Sequence, residues 1–493
     1  MRKTSHFEIA ATARGPTLPL CCTKSHLHRP PFPVTVRPML QTIELPIWLF
    51  VLILLFAAVT FASHFLFPSV RWFFRRRLER AVKRLNERLT RPIEPFKLTA
   101  RQDTIQRLLY DPEVTKAIVE YARKEDVRED VAFQKARTYA REIVPSFSAF
   151  AYFGFGIRLA RWLANTLYHV RTGSKNADVI AGISNDTTVV FIMNHRSNMD
   201  YVLVTYLAAR ASALSYAVGE WARIWPLSRL IKSMGAYFIR RRSRGALYRK
   251  VLARYVQMAT QGGVTQAIFP EGGLSLDGKL APPKMGLLAY VVEAGRAVDR
   301  EVVFVPVAIN YDRVLEDRVL IAAHKRGDRR FGAKISVIVA FILRKLWLRL
   351  RGKFLKFGGA GVVFGAPIPL SDFPDVDPLE ELAKTLMARI QDAMPRMGVP
   401  LLAQILIDQG SLPKQTLIDT AVAQIDAAPE YFVMDSGETP TQLVQSALDM
   451  LIQRNFVTLD QDTVAMNPAE RDGMEYYANS QNRGIPQVSA AAK

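Results

Sequence analysis

The sequence predicts an α/β domain, with a largely parallel or mixed sheet flanked by helices. An N-terminal transmembrane helix and a helical region precede it, and a small helical module comes after it. Two observations lead there. From about residue 187, short β-branched runs ("TTVVFIM", "VTQAIFP", "EVVFVPVAI", "AGVVFG") alternate with stretches of helical character such as "ALYRKVLARYVQMATQ" and "MGLLAYVVEAGRAV", the pattern of strand-helix-strand units. The chemically notable polar residues gather where those runs end, and in such sheets ligands collect at the carboxyl ends of strands.

Residues 1–38, rich in Pro, Arg, His and Thr without helical or strand period, read as a disordered tail. Met39 is an alternative start. Leu45 to Phe67 then holds 23 residues without a formal charge, and a bilayer core needs about 20 in a helix. A membrane anchor is therefore expected over 43–69. Arg71, Arg75, Arg76, Arg77, Arg80, Lys83 and Arg84 crowd its C-terminal side, with Trp72, Phe73 and Phe74 at the level of an aromatic belt. The positive-inside rule puts the chain beyond the anchor in the cytosol, as a single-pass protein of the plasma (inner) membrane. A cleaved signal peptide fits less well, because its apolar core is shorter and its basic cluster comes first.

The region 70–165 reads as helical. "YDPEVTKAIVEYARKE" opens on Asp111 as a cap with Pro112 at the first helical position. The α/β domain is expected over 166–400. Within it "RKLWLRLRGKFLKF", 344–357, carries six Lys or Arg and no acid, and reads equally as a helix lying on anionic lipid or as a solvated helix of the fold. Residues 401–482 form a C-terminal helical module. Its segment 439–466 reads as a helix and then a hairpin turning at Asp460-Gln461-Asp462. A small helical lid is expected, with a winged-helix-like module as the alternative. Residues 483–493 are a second disordered tail.

With 49% apolar residues the 493-residue chain can bury at least one large core. A net charge of +21 points to anionic company: nucleic acid, anionic lipid or phosphorylated small molecules. Nucleic acid is not expected, since the basic residues are dispersed without the aromatic interleaving of a base-stacking platform. The two cysteines, Cys21 and Cys22, are adjacent in the tail, and His64, His169, His195 and His324 lie far apart. Neither a disulfide framework nor a metal centre is expected.

Four stretches carry candidate chemistry. "FIMNHRSNMDYVLV" ends an apolar run on His195 with Asp200 five residues on. "MGAYFIRRRSRG" ends in Arg240, Arg241 and Arg242. "IFPEGGLSLDGKLAPPKMG" offers Glu271, Gly272, Gly273, Ser275, Lys279 and Lys284. "FVPVAINYD" places Pro306 inside a strand-like run, where a ladder amide is lost. Singly, each has an ordinary structural reading: a capped turn, a solvated face, a glycine turn, a strand edge. Together they supply an imidazole with an orienting carboxylate to take a hydroxyl proton, guanidinium groups to grip phosphate, and glycines that let backbone amides approach an anion. The implied reaction moves an acyl group to the hydroxyl of a phosphorylated acceptor. No Gly-x-Ser-x-Gly elbow suggests a covalent acyl-enzyme.

In this order and spacing the four blocks resemble the glycerol-3-phosphate acyltransferase family, in its bacterial branch. "NHRSNMD" is similar to its His-x4-Asp box, "GAYFIRRR" to its second block, "FPEGGLSLDGKLAPPKMG" to its third and "VPVAINYD" to its fourth. "VFGAPIPL" and the terminal "YYANS" also resemble that branch. The resemblance implies a fatty acyl transfer from acyl-CoA or acyl-ACP to the sn-1 hydroxyl of glycerol 3-phosphate, with no cofactor. Lysophosphatidic acid would be the product. His195 would be the base and Asp200 its partner. Arg240 and Arg241 would contact phosphate, Glu271 and Gly272 would bind acceptor, and Pro306 would shape the pocket. Gly273, Ser275, Lys279 and Lys284 complete the expected substrate-binding set. One position departs: the family commonly reads Glu-Gly-Gly-Arg-Ser where this chain has Leu274, leaving Lys279 or Lys284 to supply that charge. Acylation of lysophosphatidic acid at sn-2, or of dihydroxyacetone phosphate, is the alternative.

Overall fold

Two consecutive-apolar segments of the sequence become the centre of the sheet in the computed structural model. The strand β2 (Thr188–Met193) is buried at every position, as is the ten-residue β6 (Val302–Tyr311), because helices cover both faces. The structure describes residues 46–87, 89–173, 179, 181–208, 213–219, 227–240, 245–327, 356–374, 379–435 and 437–481, with backbone alone at 62–75, 78 and 227.

The chain divides into two units, Met1–Arg75 and Arg76–Lys493. In the first, a helix begins at Ile47 and runs to Asn86 in the second. From Ile47 to Phe61 its apolar side chains are mostly exposed, Trp48 at 66% and Phe56 at 72%. Among the described residues no helix is long and apolar enough to cross a membrane, and the anchor expected over 43–69 falls partly on residues outside them. The basic segment 344–357 lies almost wholly outside them too, as do the tails 1–38 and 483–493.

The remaining sheet strands are β1 (His169–Thr172), β3 (Ser215–Val218), β4 (Tyr237–Phe238), β5 (Gln266–Ile268), β7 (Gly359–Phe364) and β8 (Ile368–Pro369). Their order is β1-β7-β6-β2-β5-β3-β4, with β8 also on β6. Pairing from β6 through β2, β5 and β3 to β4 is parallel, whereas β7 and β8 run antiparallel to β6. The sheet is thus mixed.

Side-chain alternation along the strands makes two cores. Phe191, Met193, Val305, Val307 and Ile309 face one, Val190, Ile192, Phe304 and Ala308 the other. The second face is covered by the helices Arg101–Leu109, Pro112–Lys124 and Glu129–Ile143, together with Ala246–Gln261, Gly286–Arg296 and Leu379–Asp392. As expected, Asp111 caps its helix, accepting from the amide of Glu113 at 3.1 Å with Pro112 next in the chain. The helical region before the sheet is therefore half of a core rather than a separate body.

The first face is covered by Ile157–Leu167, Met199–Leu207 and the C-terminal elements. There the expectation of a small helical lid needs correcting. The elements run helix Gly398–Gln409, β9 (Leu412–Pro413), helix Lys414–Ala427, helix Pro440–Gln453, β10 (Val457–Asp460) and β11 (Thr463–Met466). β9, β10 and β11 form a three-stranded antiparallel sheet. That is the element order of the winged-helix alternative, and its hairpin turns where the sequence predicted, at Gln461 with φ 53°. Leu401, Leu402 and Leu448 share one core with Val305 and Val307, so the expected boundary at 400 is not a break in packing.

Candidate active site

The parallel strands β2, β5, β3 and β4 all end at one edge of the sheet, and the next residues line a cavity of about 240 Å³. His195 comes after β2, Phe269 and Pro270 after β5, Gly219 after β3 and Ile239 after β4; Gly272 and Lys284 complete this part of the wall. The site lies at the carboxyl ends of the strands, as the sequence pattern predicted.

His195 is held by its neighbours on both sides in the chain. Asn194 continues the β2–β6 ladder with its side chain, donating to the carbonyl of Ile309 at 2.8 Å and accepting from its amide at 2.7 Å. The helix Met199–Leu207 then starts, placing Asp200 in its first turn. Asp200 Oδ2 lies 2.9 Å from His195 Nδ1 and accepts the amides of Arg196 at 2.7 Å and Ser197 at 3.0 Å. The hydroxyl of Tyr311 donates to its Oδ1 at 2.5 Å. Surrounded by donors, the carboxylate has no proton to give, so Nδ1 carries the hydrogen and Nε2 is the basic nitrogen. His195 is only 2% exposed. Its ring packs against Phe269 at 4.2 Å and Tyr201 at 5.3 Å between centroids, both of which also line the cavity.

Glu271 joins the first and third blocks. Its two oxygens accept the amides of His195 at 2.8 Å and Ala281 at 2.9 Å. Burial pushes its carboxyl up to about 7, against these hydrogen bonds and the charge of Arg196. Ser275 works from the same loop: its amide donates to the His195 carbonyl at 2.9 Å and its hydroxyl to the Lys279 carbonyl at 2.7 Å. Ser275 and Glu271 therefore position His195 through its backbone.

Lys279 and Lys284 part company. Lys279 is exposed, in a turn where its amide donates to Asp277 at 3.1 Å. Lys284 folds back over Gly272, whose φ of +65° and missing side chain make the space: a Cβ there would lie 2.7 Å from Lys284 Cδ. Lys284 lines the cavity with His195. Leu274 packs against the first core, and half-exposed Gly273 completes the turn.

Two expected residues stand elsewhere. Arg240 gives its guanidinium to Glu142, Nε to Oε1 at 2.8 Å and Nη2 to Oε2 at 2.5 Å, and lies over the rings of Tyr139 and Tyr248. The Glu142 hydrogen bonds raise the guanidinium further above its ordinary range. Burial of Glu142 requires this partner. Pro306 pairs with Ile192 on β2, at the point of β6 where pairing to β7 ends and pairing to β8 begins. Its lost amide faces that gap, and it is not among the described residues lining the cavity. Arg241 and Arg242 lie outside the described residues.

Sequence reasoning missed three contributors. Tyr311 stands in the quoted "VPVAINYD", but its contact with Asp200 spans 111 residues. Glu316 accepts from the Ser197 hydroxyl at 2.7 Å and Asn198 Nδ2 at 3.0 Å, bracing the box from the other side. Arg196 sits inside the box, donates to the Gly278 carbonyl and lies 5.3 Å over the Tyr476 ring. Among the described residues no group of His, Cys, Asp and Glu is arranged to hold a metal ion.

The acyltransferase family model matches residues 173–310, and the model of the glycerol-3-phosphate acyltransferase C-terminal region matches 346–481. The chain is 29% identical over 352 residues to a glycerol-3-phosphate acyltransferase of Alteromonas mediterranea, covering 66% of this chain and 41% of that protein. It is 28% identical over 419 residues to one of Pseudoalteromonas translucida, covering 78% of this chain and 50% of that protein. The chain thus spans half or less of the length of these curated relatives. A crystal structure of the 1-acyl-sn-glycerophosphate (LPA) acyltransferase PlsC from Thermotoga maritima is similar at 21% identity with a TM-score of 0.30, over 49% of this chain and 76% of that one.

Proposed function

Because this chain carries the acyltransferase domain and the C-terminal region of the glycerol-3-phosphate acyltransferases, we propose that it acylates glycerol 3-phosphate at sn-1 from acyl-CoA or acyl-ACP, giving lysophosphatidic acid. The observation that carries the reading is the His195–Asp200 pair at 2.9 Å, on a cavity that also holds Lys284.

His195 Nε2 takes the proton of the acceptor hydroxyl as its oxygen attacks the thioester carbonyl carbon. The tetrahedral intermediate collapses with cleavage of the carbon–sulfur bond, and the departing thiolate receives the proton from the imidazolium. Asp200 holds the tautomer and steadies the cation, and general base catalysis of this kind contributes roughly 10²- to 10⁴-fold. Lys284 is the phosphate contact, in the role left open by Leu274, with Arg241 as a second contact. Arg240 acts at a distance through Glu142.

The uncharged stretch Leu45 to Phe67 serves as a single membrane anchor. Exposure of its apolar side chains from Ile47 to Phe61 supports that reading, and the basic residues after it direct the catalytic domain to the cytoplasmic side of the inner membrane, beside anionic lipid.

The test is thiol release by the purified chain from acyl-CoA and acyl-ACP with glycerol 3-phosphate, dihydroxyacetone phosphate or lysophosphatidate. Release dependent on glycerol 3-phosphate and lost in His195→Ala and Asp200→Asn is expected. Release with lysophosphatidate alone, or unaffected by both substitutions, overturns the proposal.

A further inference from the structure

A second cavity, of about 470 Å³, lies beside β4. Consecutive residues at the end of that strand serve different cavities: Phe238 lines this one and Ile239 lines the one holding His195. Its wall carries Arg101, Arg141, Arg229 and Lys232, and a single acid, Glu142. Both oxygens of that acid already accept from Arg240. Among the described residues no acidic side chain pairs with Arg101, Arg141 or Arg229. Among the described residues the wall therefore carries three guanidinium groups without an acidic partner, and its one acid is already engaged.

Part of this has a structural cause. The helix Glu129–Ile143 ends here, and its last carbonyls draw cations: Arg101 donates to the carbonyls of Val144, at 2.9 Å, and of Arg141, and Lys232 Nζ donates to the carbonyl of Arg141 at 3.1 Å. A helix C-terminus offers about half a negative charge, too little to balance Arg101, Arg141 and Arg229. Burial, and then the charge of Arg141, lower the pKa of Arg101, the mark of like charges held together. Ser146 and Ser228 add hydroxyls to the same wall, whereas the Thr138 hydroxyl donates to the Gln134 carbonyl at 2.9 Å. Guanidinium groups with hydroxyls around an open cleft match a tetrahedral anion that offers several oxygens.

We propose that this cleft is a second phosphate-binding site, separate from the His195 cavity, which takes the phosphate of a soluble phosphorylated compound or of an anionic lipid headgroup. It goes beyond the acyl-transfer reading, and its failure leaves that reading untouched.

The full chain in uncharged detergent is titrated calorimetrically with inorganic pyrophosphate and, separately, with monomeric dihexanoylphosphatidylglycerol. At least one probe is expected to bind. Arg141→Ala/Arg229→Ala should weaken it about ten-fold or more, Lys284→Ala less than about two-fold, and Arg141→Lys/Arg229→Lys, which keeps the charge but loses the paired guanidinium bonds, should fall between them. Binding of pyrophosphate alone assigns a soluble ligand, and binding of the lipid alone assigns a headgroup. Arg141 and Arg229 are exposed, so an unchanged melting temperature is expected of both double variants. The proposal is overturned if neither probe binds the wild-type chain. It is equally overturned if the double alanine variant binds as the wild type does, or if binding is lost in Lys284→Ala instead.

Discussion

The hydroxyl of Tyr311, at the end of β6, donates to Asp200 Oδ1 at 2.5 Å, while the other oxygen of Asp200 holds His195 at 2.9 Å. Burial and then the Asp200 charge raise the tyrosine pKa well above its ordinary value, so it remains a donor throughout the working range. Tyr311→Phe strips one donor from a buried carboxylate, at a cost of about 1–3 kcal/mol. Steady-state kinetics should show kcat down several-fold with both KM values near wild type; a rise confined to the acceptor KM would contradict a positioning role.

Lys284→Ala should raise the KM for glycerol 3-phosphate about ten-fold or more, while the acyl-donor KM stays within about two-fold. Lys279→Ala should leave both within about two-fold, because Lys279 is exposed in its turn. Parallel effects of the two substitutions would refute the assignment of the charge to Lys284.

Arg240→Ala should act on stability first. It leaves Glu142 buried without its principal partner, and about 1–3 kcal/mol is expected, below the cost of breaking a fully buried pair because Arg240 is partly exposed. Arg240→Ala/Glu142→Gln should recover part of the melting temperature. Unchanged stability with a large acceptor-specific KM increase would restore Arg240 as a direct phosphate contact.

Glu271 links stability to pH. Its folded-state pKa of about 7 lies above the ordinary 4.5, so the unfolded chain loses this proton first as pH rises. The group's contribution is therefore most favourable below about pH 4.5 and declines between about 4.5 and 7, by on the order of 3 kcal/mol at most. Glu271→Gln should flatten that slope in denaturant titrations across the window. It also turns an amide donor toward a backbone N–H, so activity should fall with the acceptor and donor KM affected together.

Gly278 has φ +87°, and a Cβ there would lie 1.9 Å from the Tyr476 carbonyl oxygen. Gly278→Ala should push the helix Arg471–Ala478 off the third-block loop and abolish most activity without touching the cavity. Asn479→Ala, which removes its 2.9 Å bond to the Asp277 carbonyl, should cost about 1 kcal/mol and leave most turnover. Near-wild-type melting and turnover in Gly278→Ala would refute the close approach.

Local chemistry is readable from the sequence. The β-branched runs become β2, β5, β6 and β7, Asp111 caps its helix, and the spacing of His195 and Asp200 places both on one strand-to-helix turn. β1, β3 and β4 escape the sequence pattern: each is four residues or fewer and, unlike the equally short β5, does not stand out as a β-branched run. The partners of Asp200 and Arg240, Tyr311 and Glu142, lie 111 and 98 residues away, and only packing selects them. The choice between Lys279 and Lys284 is likewise hidden, because it depends on the positive φ of Gly272 and Gly278. The C-terminal module looks separable because its helices are amphipathic in their own right, but their apolar faces complete the sheet's first core.

Tyr476 lies under Arg196 and against Gly278, and Asn479 ties down Asp277. The loop beside His195 is thus braced by nearly the last described residues of the chain. On a ribosome His195 and Asp200 are translated some 280 residues before that brace, so in a growing polypeptide the third-block loop would go unsupported until Tyr476 and Asn479 have emerged.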